Sequence, residues 1–198
     1  MSRFFIMMAG YLAIAAIVIP SFVHPAPRLV WNASASVPVG LYAAGPARRL
    51  APGDLVAAHA PAPIARMMAE RGYLPLRVPM LKHVAAVAGQ RVCRSGLHIS
   101  IDTALVAEAR SHDRDGRELP AWEGCRTLRS GEVFLLNAAS ADSFDGRYFG
   151  PIRARSVIAV LHPLWLPGGG PAPAPAAPAR PRSFSQPKNE GDGNDHDR

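Results

Sequence analysis

The first change of hydrophobic pattern along the chain comes early. Residues 4–23 read FFIMMAGYLAIAAIVIPSFV, an uncharged and almost continuous apolar run. At ~1.5 Å rise per residue, about twenty such residues match the ~30 Å hydrocarbon core of a bilayer, so the run predicts a transmembrane helix. Beyond it, short apolar stretches alternate with Gly, Pro and polar turns. Residues 39–43, 54–59, 82–87, 97–101, 132–136 and 156–161 are predicted strands. One helix is predicted over residues 63–71, with Pro63 at its first position and Gly72 as its stop. Ile64, Met67 and Met68 share one face of that helix, as core-facing residues do. From Gly168 the pattern dissolves into Ala-Pro repeats and a polar end, which predicts a disordered tail. The expected architecture is mainly β: an antiparallel β domain over residues 28–167 with a small helical insertion. An N-terminal anchor over 1–27 precedes it, and the tail over 168–198 follows.

Charge and composition sharpen this picture at three points. Arg3 in front of the apolar run places the N-terminus in the cytoplasm and the remainder outside, facing the periplasm of a bacterial inner membrane. A cleaved signal peptide is the alternative, but His24-Pro25-Ala26-Pro27-Arg28 offers no Ala-x-Ala site, so an uncleaved anchor is expected. The formal charge of +7 is spread over scattered arginines, without a basic run interleaved with aromatics, and no nucleic-acid partner is expected. Two cysteines, Cys93 and Cys125, in an extracytoplasmic domain suggest a disulfide with Cα atoms roughly 4.4–6.8 Å apart; two buried thiols are the alternative. The seven histidines show no metal-ligand spacing, so neither a metal nor another cofactor is expected.

Three polar clusters carry the candidate chemistry. The first is Asn32-Ala-Ser-Ala-Ser-Val-Pro-Val-Gly-Leu-Tyr42, close after the apolar run. The second is Leu81-Lys-His-Val-Ala-Ala-Val-Ala-Gly89 and the third Asp142-Ser-Phe-Asp-Gly-Arg-Tyr-Phe-Gly-Pro151. Alone, Ser36 is a loop hydroxyl and Lys82 an edge or snorkelling residue. Their order resembles the membrane-bound signal peptidases, a family of serine–lysine proteases, and within it the TraF-type branch of conjugative transfer. Ser34-Ala-Ser36-x-Pro38 is similar to the box whose second Ser is the nucleophile. Lys82 with Gly89 resembles the lysine box, and Ser143-x-Asp145-x-Arg147-Tyr148-Phe149-Gly150 the closing box. Arg71-Gly-Tyr-Leu-Pro75, Gly116-Arg-x-Leu-Pro120 and Gly124-Cys-Arg126 resemble the conjugative branch in particular. Departures from the general enzymes are Val37 after the nucleophile, Ala88-Gly89-Gln90 after the lysine box, and Leu136-Asn-Ala-Ala-Ser140 before the closing box. Gly146 also stands where the family's second Ser would be.

The resemblance implies a Ser–Lys dyad. Ser36 would attack the scissile carbonyl, neutral Lys82 would act as base, and the Ser34 hydroxyl with the Ser36 N–H would bind the oxyanion. Ser143 would orient the Lys82 amine, and Asp145 with Arg147 would form a structural ion pair, against the simpler reading of a surface pair. A Ser–His–Asp triad finds no Gly-x-Ser-x-Gly elbow around His83 or His112. The expected partner is an exported precursor protein such as a conjugative pilin. The competing functions are a general preprotein signal peptidase and a non-catalytic periplasmic scaffold.

Overall fold

The computed structural model describes residues 3–22 and 28–167. Helix α1 spans Arg3–Phe22 and is exposed along its described side chains, which end at Ile19, except at half-buried Ala15. Among the described residues no helix is long and apolar enough to cross a membrane. The expected tail over 168–198 lies outside the described residues.

The body is built almost wholly of antiparallel strands. β1 (Leu29–Asn32), β2 (Gly40–Gly45), β3 (Leu55–Ala58), β4 (Met80–Ala86), β9 (Glu132–Leu136), β10 (Ile152–Arg153) and β11 (Val157–Trp165) form a seven-stranded sheet in the order β1-β2-β11-β3-β4-β9-β10. β5 (Arg91–Ser95), β6 (His98–Ile101), β7 (Ala104–Glu108) and β8 (Gly124–Thr127) form a second sheet in the order β7-β6-β5-β8. The expected mainly β domain is present, and its one sizeable insertion is helix α2 (Ala62–Glu70), with Pro in its first turn and Met68 buried. A single turn of helix, α3 (Gly146–Phe149), follows β9.

Side-chain alternation decides which faces meet. Ala86, Phe134 and Leu136 of the large sheet pack with Val92, Ile99 and Ile101 of the small one, which welds the two sheets together. On the same face of the large sheet, nearer its β1 edge, Val37, Tyr42, Ala57, Leu81, Ala159 and Leu161 form the floor beneath the β1–β2 turn. Lys82 lies in mid-strand on β4, opposite Val56 of β3, so its position is fixed by ladder pairing and not by a loop. Cys93 and Cys125 are directly opposed in the β5–β8 ladder and bonded, as expected. Their Cα atoms are 4.0 Å apart, shorter than the expected range, because direct cross-strand opposition brings the two backbones close.

Candidate active site

The β1–β2 turn is shaped by one buried amide. Asn32 Nδ2 donates to the carbonyls of Ser34 (2.9 Å), Val37 (3.0 Å) and Pro38 (3.0 Å), and its Oδ1 accepts from the Ser34 N–H (3.0 Å). The Ser34 hydroxyl donates to Asn32 Oδ1 at 2.8 Å and lies 3.3 Å from Ser36 Oγ. Tyr42 closes the turn from below, its hydroxyl donating to the Pro38 carbonyl at 2.6 Å. The two serines thus sit together on a turn held by Asn32, whose role the sequence does not announce.

Lys82 is 5% exposed, and its Nζ donates to Ser143 Oγ at 2.8 Å. Burial pushes its pKa down from the usual lysine range to about 8; Asp145 pulls the other way, and Arg147 adds to the fall. Asp145 and Arg147 are themselves 0% and 1% exposed and joined at 3.0 Å, a core pair and not a surface one. Arg147 also donates to the carbonyls of Asn137 (2.9 Å) and Ser140 (2.7 Å), pinning the loop that delivers Ser143. The Asp145 carboxylate caps α3 by accepting from the Arg147 N–H.

Ser34, Ser36, Lys82 and Ser143 line one cleft of about 1010 Å³. Among the described residues, however, no hydrogen bond joins Ser36 Oγ to Lys82 Nζ. Asp145 and Arg147 support the cleft from behind, and the Cys93–Cys125 bridge lies away from it on the small sheet. Another part of the lining forms where the motifs over residues 71–75 and 116–120 converge. Arg71 Nη1 donates to the Glu118 carbonyl at 2.8 Å, Arg117 Nε to Asp113 at 2.7 Å, and the Arg117 guanidinium lies 5.6 Å over the Tyr73 ring. Gly146, the departure in the closing box, has a local cause: a Cβ there would lie 2.6 Å from the Leu135 carbonyl oxygen.

These residues stand in the order and the surroundings of a known group of proteins. The family described as "Signal peptidase, peptidase S26" matches residues 1–165. The chain belongs to the signal peptidase S26 family. Its curated relatives include a plasmid transfer protein TraF of Escherichia coli, 34% identical over 88 residues, covering 43% of this chain and 50% of that one. A probable conjugal transfer protein TraF of Sinorhizobium fredii is 33% identical over 137 residues, covering 65% of this chain and 72% of that one. The chain spans about half the length of the Escherichia coli relatives it matches. A signal peptidase I from Enterococcus faecalis aligns over 58% of this chain and 98% of its own at 18% identity, with a TM-score of 0.35. In this S26 member of TraF type, Ser34, Ser36, Lys82 and Ser143 meet at one cleft.

Proposed function

We propose that this protein is a membrane-anchored serine endopeptidase in which Ser36 is the nucleophile and Lys82 the general base. The observation that carries the proposal is Lys82: a nearly buried amine, pushed to about 8, in the same cleft as a paired-serine turn. An ordinary lysine at ~10.4 is almost entirely protonated near neutral pH, whereas one at about 8 is neutral in a useful fraction of molecules. Neutral Lys82 takes the Ser36 hydroxyl proton as Oγ bonds to the scissile carbonyl carbon. The proton passes to the departing amine as the peptide C–N bond breaks, leaving an acyl ester on Ser36. Water, deprotonated by Lys82, then attacks the acyl carbon, and as the C–Oγ ester bond breaks Lys82 returns the proton to Ser36 Oγ. The Ser34 hydroxyl, whose single proton here goes to Asn32 Oδ1, turns it to the oxyanion beside the Ser36 N–H. Lys82 now bonds Ser143, so the Ser36–Lys82 contact forms as substrate seats; catalytic hydrogen bonds commonly tighten only in the substrate complex.

The relatives are named for plasmid and conjugal transfer, which supports an exported precursor of a conjugative system, such as a pilin, as the substrate. The uncharged apolar run over residues 4–23 with Arg3 in front of it supports a single-pass inner-membrane anchor, with the β domain on the periplasmic side. The test is precursor cleavage by the full chain in detergent. Ser36→Ala and Lys82→Ala remove detectable processing from folded protein, and Lys82→Arg fails too because a guanidinium stays protonated. Ser34→Ala lowers kcat ~10²–10³-fold with little change in KM. Processing at the wild-type rate by Ser36→Ala or Lys82→Ala refutes the dyad; no processing by the folded wild-type chain favours a scaffold.

A further inference from the structure

Ser36 and Lys82 come from segments far apart in the sequence, and their relative placement rests on what ties those segments together. One buried side chain does so. Asn137, at the end of β9, is 3% exposed. Its Nδ2 donates to the Ser36 carbonyl at 2.9 Å, across a sequence separation of 101 residues, and to the Leu81 carbonyl at 3.3 Å. Its Oδ1 accepts from the His83 N–H at 3.0 Å. Leu81 and His83 are the two neighbours of Lys82. A single amide therefore grips the backbone on both sides of the base and, at the same time, the backbone of the nucleophile.

Asn137 is in turn held from behind. Its own N–H donates to Asp145 Oδ2 at 3.0 Å, and its carbonyl accepts from Arg147 Nη2 at 2.9 Å. The Asp145–Arg147 pair thus reaches the cleft by two routes, through Ser143 to the Lys82 amine and through Asn137 to the Ser36 turn. Among the described residues, no other side chain hydrogen-bonds both the Ser36 backbone and the backbone beside Lys82. Only an amide can donate to two carbonyls and accept from an N–H at one position. A carboxylate accepts without donating, and an apolar residue leaves all three backbone groups unpaired.

We infer that Asn137 is a positioning residue that sets the distance and register between the Ser36 turn and the Lys82 strand. This rests on the Ser–Lys reading above. Asn137 touches neither reacting atom; it acts through the backbones that carry them. Its loss therefore lowers turnover while leaving substrate affinity and the Lys82 environment in place.

The test compares full-length wild type, Asn137→Ala, Asn137→Asp and Ser36→Ala, measuring kcat and KM for a precursor peptide and the folded fraction by thermal unfolding. The chain has two lysines, Lys82 and Lys188, so ¹³C-lysine NMR follows the Lys82 titration directly. Folded Asn137→Ala is expected to lose ~10–100-fold in kcat, the scale of a misplacement of about 1 Å, with KM within about threefold and the Lys82 midpoint unmoved. Asn137→Asp keeps the acceptor for the His83 N–H and loses both donors, so measured at pH 10 it shows at least a tenfold lower kcat, on the order expected for misplaced groups. Full turnover by either folded variant, with Ser36→Ala inactive, overturns the positioning role alone. Activity in Ser36→Ala overturns the dyad beneath it. Failure of both Asn137 variants to fold assigns Asn137 to the core and overturns the proposal.

Discussion

At Lys82 two opposing charges and a low-dielectric setting meet, and their balance decides whether the amine can serve as a base. Asp145 favours the ammonium and Arg147 opposes it; because the two are paired at 3.0 Å, much of their effect on Lys82 cancels and burial dominates. That makes Arg147 more than a structural cation. Removing it leaves Asp145 charged and fully buried, and takes the donor away from the Asn137 and Ser140 carbonyls. Arg147→Leu is expected to lose on the order of 3–5 kcal/mol of stability in urea unfolding near neutral pH. A loss under about 1 kcal/mol contradicts this account of the pair. The catalytic candidates were legible because Ser, Lys and the closing box follow one another at family-like spacing. Asn32 and Asn137 were not: an Asn in a turn is ordinary turn chemistry, and nothing in the sequence shows that Asn137 reaches a carbonyl 101 residues away.

The same contrast holds for the secondary-structure elements. β3, β4, β9 and the first part of β11 were readable because their apolar residues form runs in the core of the large sheet. β8 was unreadable: all four of its residues are exposed, and it exists through ladder pairing with β5 and the disulfide, neither of which leaves an apolar pattern. β5 was hidden by Arg94, an arginine at a buried position that bonds the Gly96 and Arg147 carbonyls. Helix α2 fell within one residue of its expected ends, since Pro and Gly mark helix limits through backbone geometry. Helix α1 is the element whose role rests most on sequence. An apolar helix exposed on its described sides needs a lipid or protein partner. The anchor proposal predicts that the full chain stays with the membrane pellet through alkaline carbonate extraction. Release into the supernatant contradicts it.

For the whole molecule, the two-sheet architecture separates rigidity from access. The small sheet and its disulfide sit away from the cleft, while the large sheet carries Lys82 on a central strand and Ser36 on the turn between its first two strands. Arg71, Asp113 and Arg117 give the cleft charged lining beside apolar lining that includes Met68, Leu74 and Leu81. A buried base in such a cleft has one signature that the architecture alone would not produce, because the active form is the deprotonated one. The pH dependence of kcat/KM reports the ionisation of the free enzyme, so the wild-type protein is expected to gain activity about tenfold per pH unit below Lys82's midpoint of about 8 and to level off above it. A profile flat from pH 6 to about 9.5, or one still rising steeply where an ordinary lysine titrates near 10.4, contradicts Lys82 as the base.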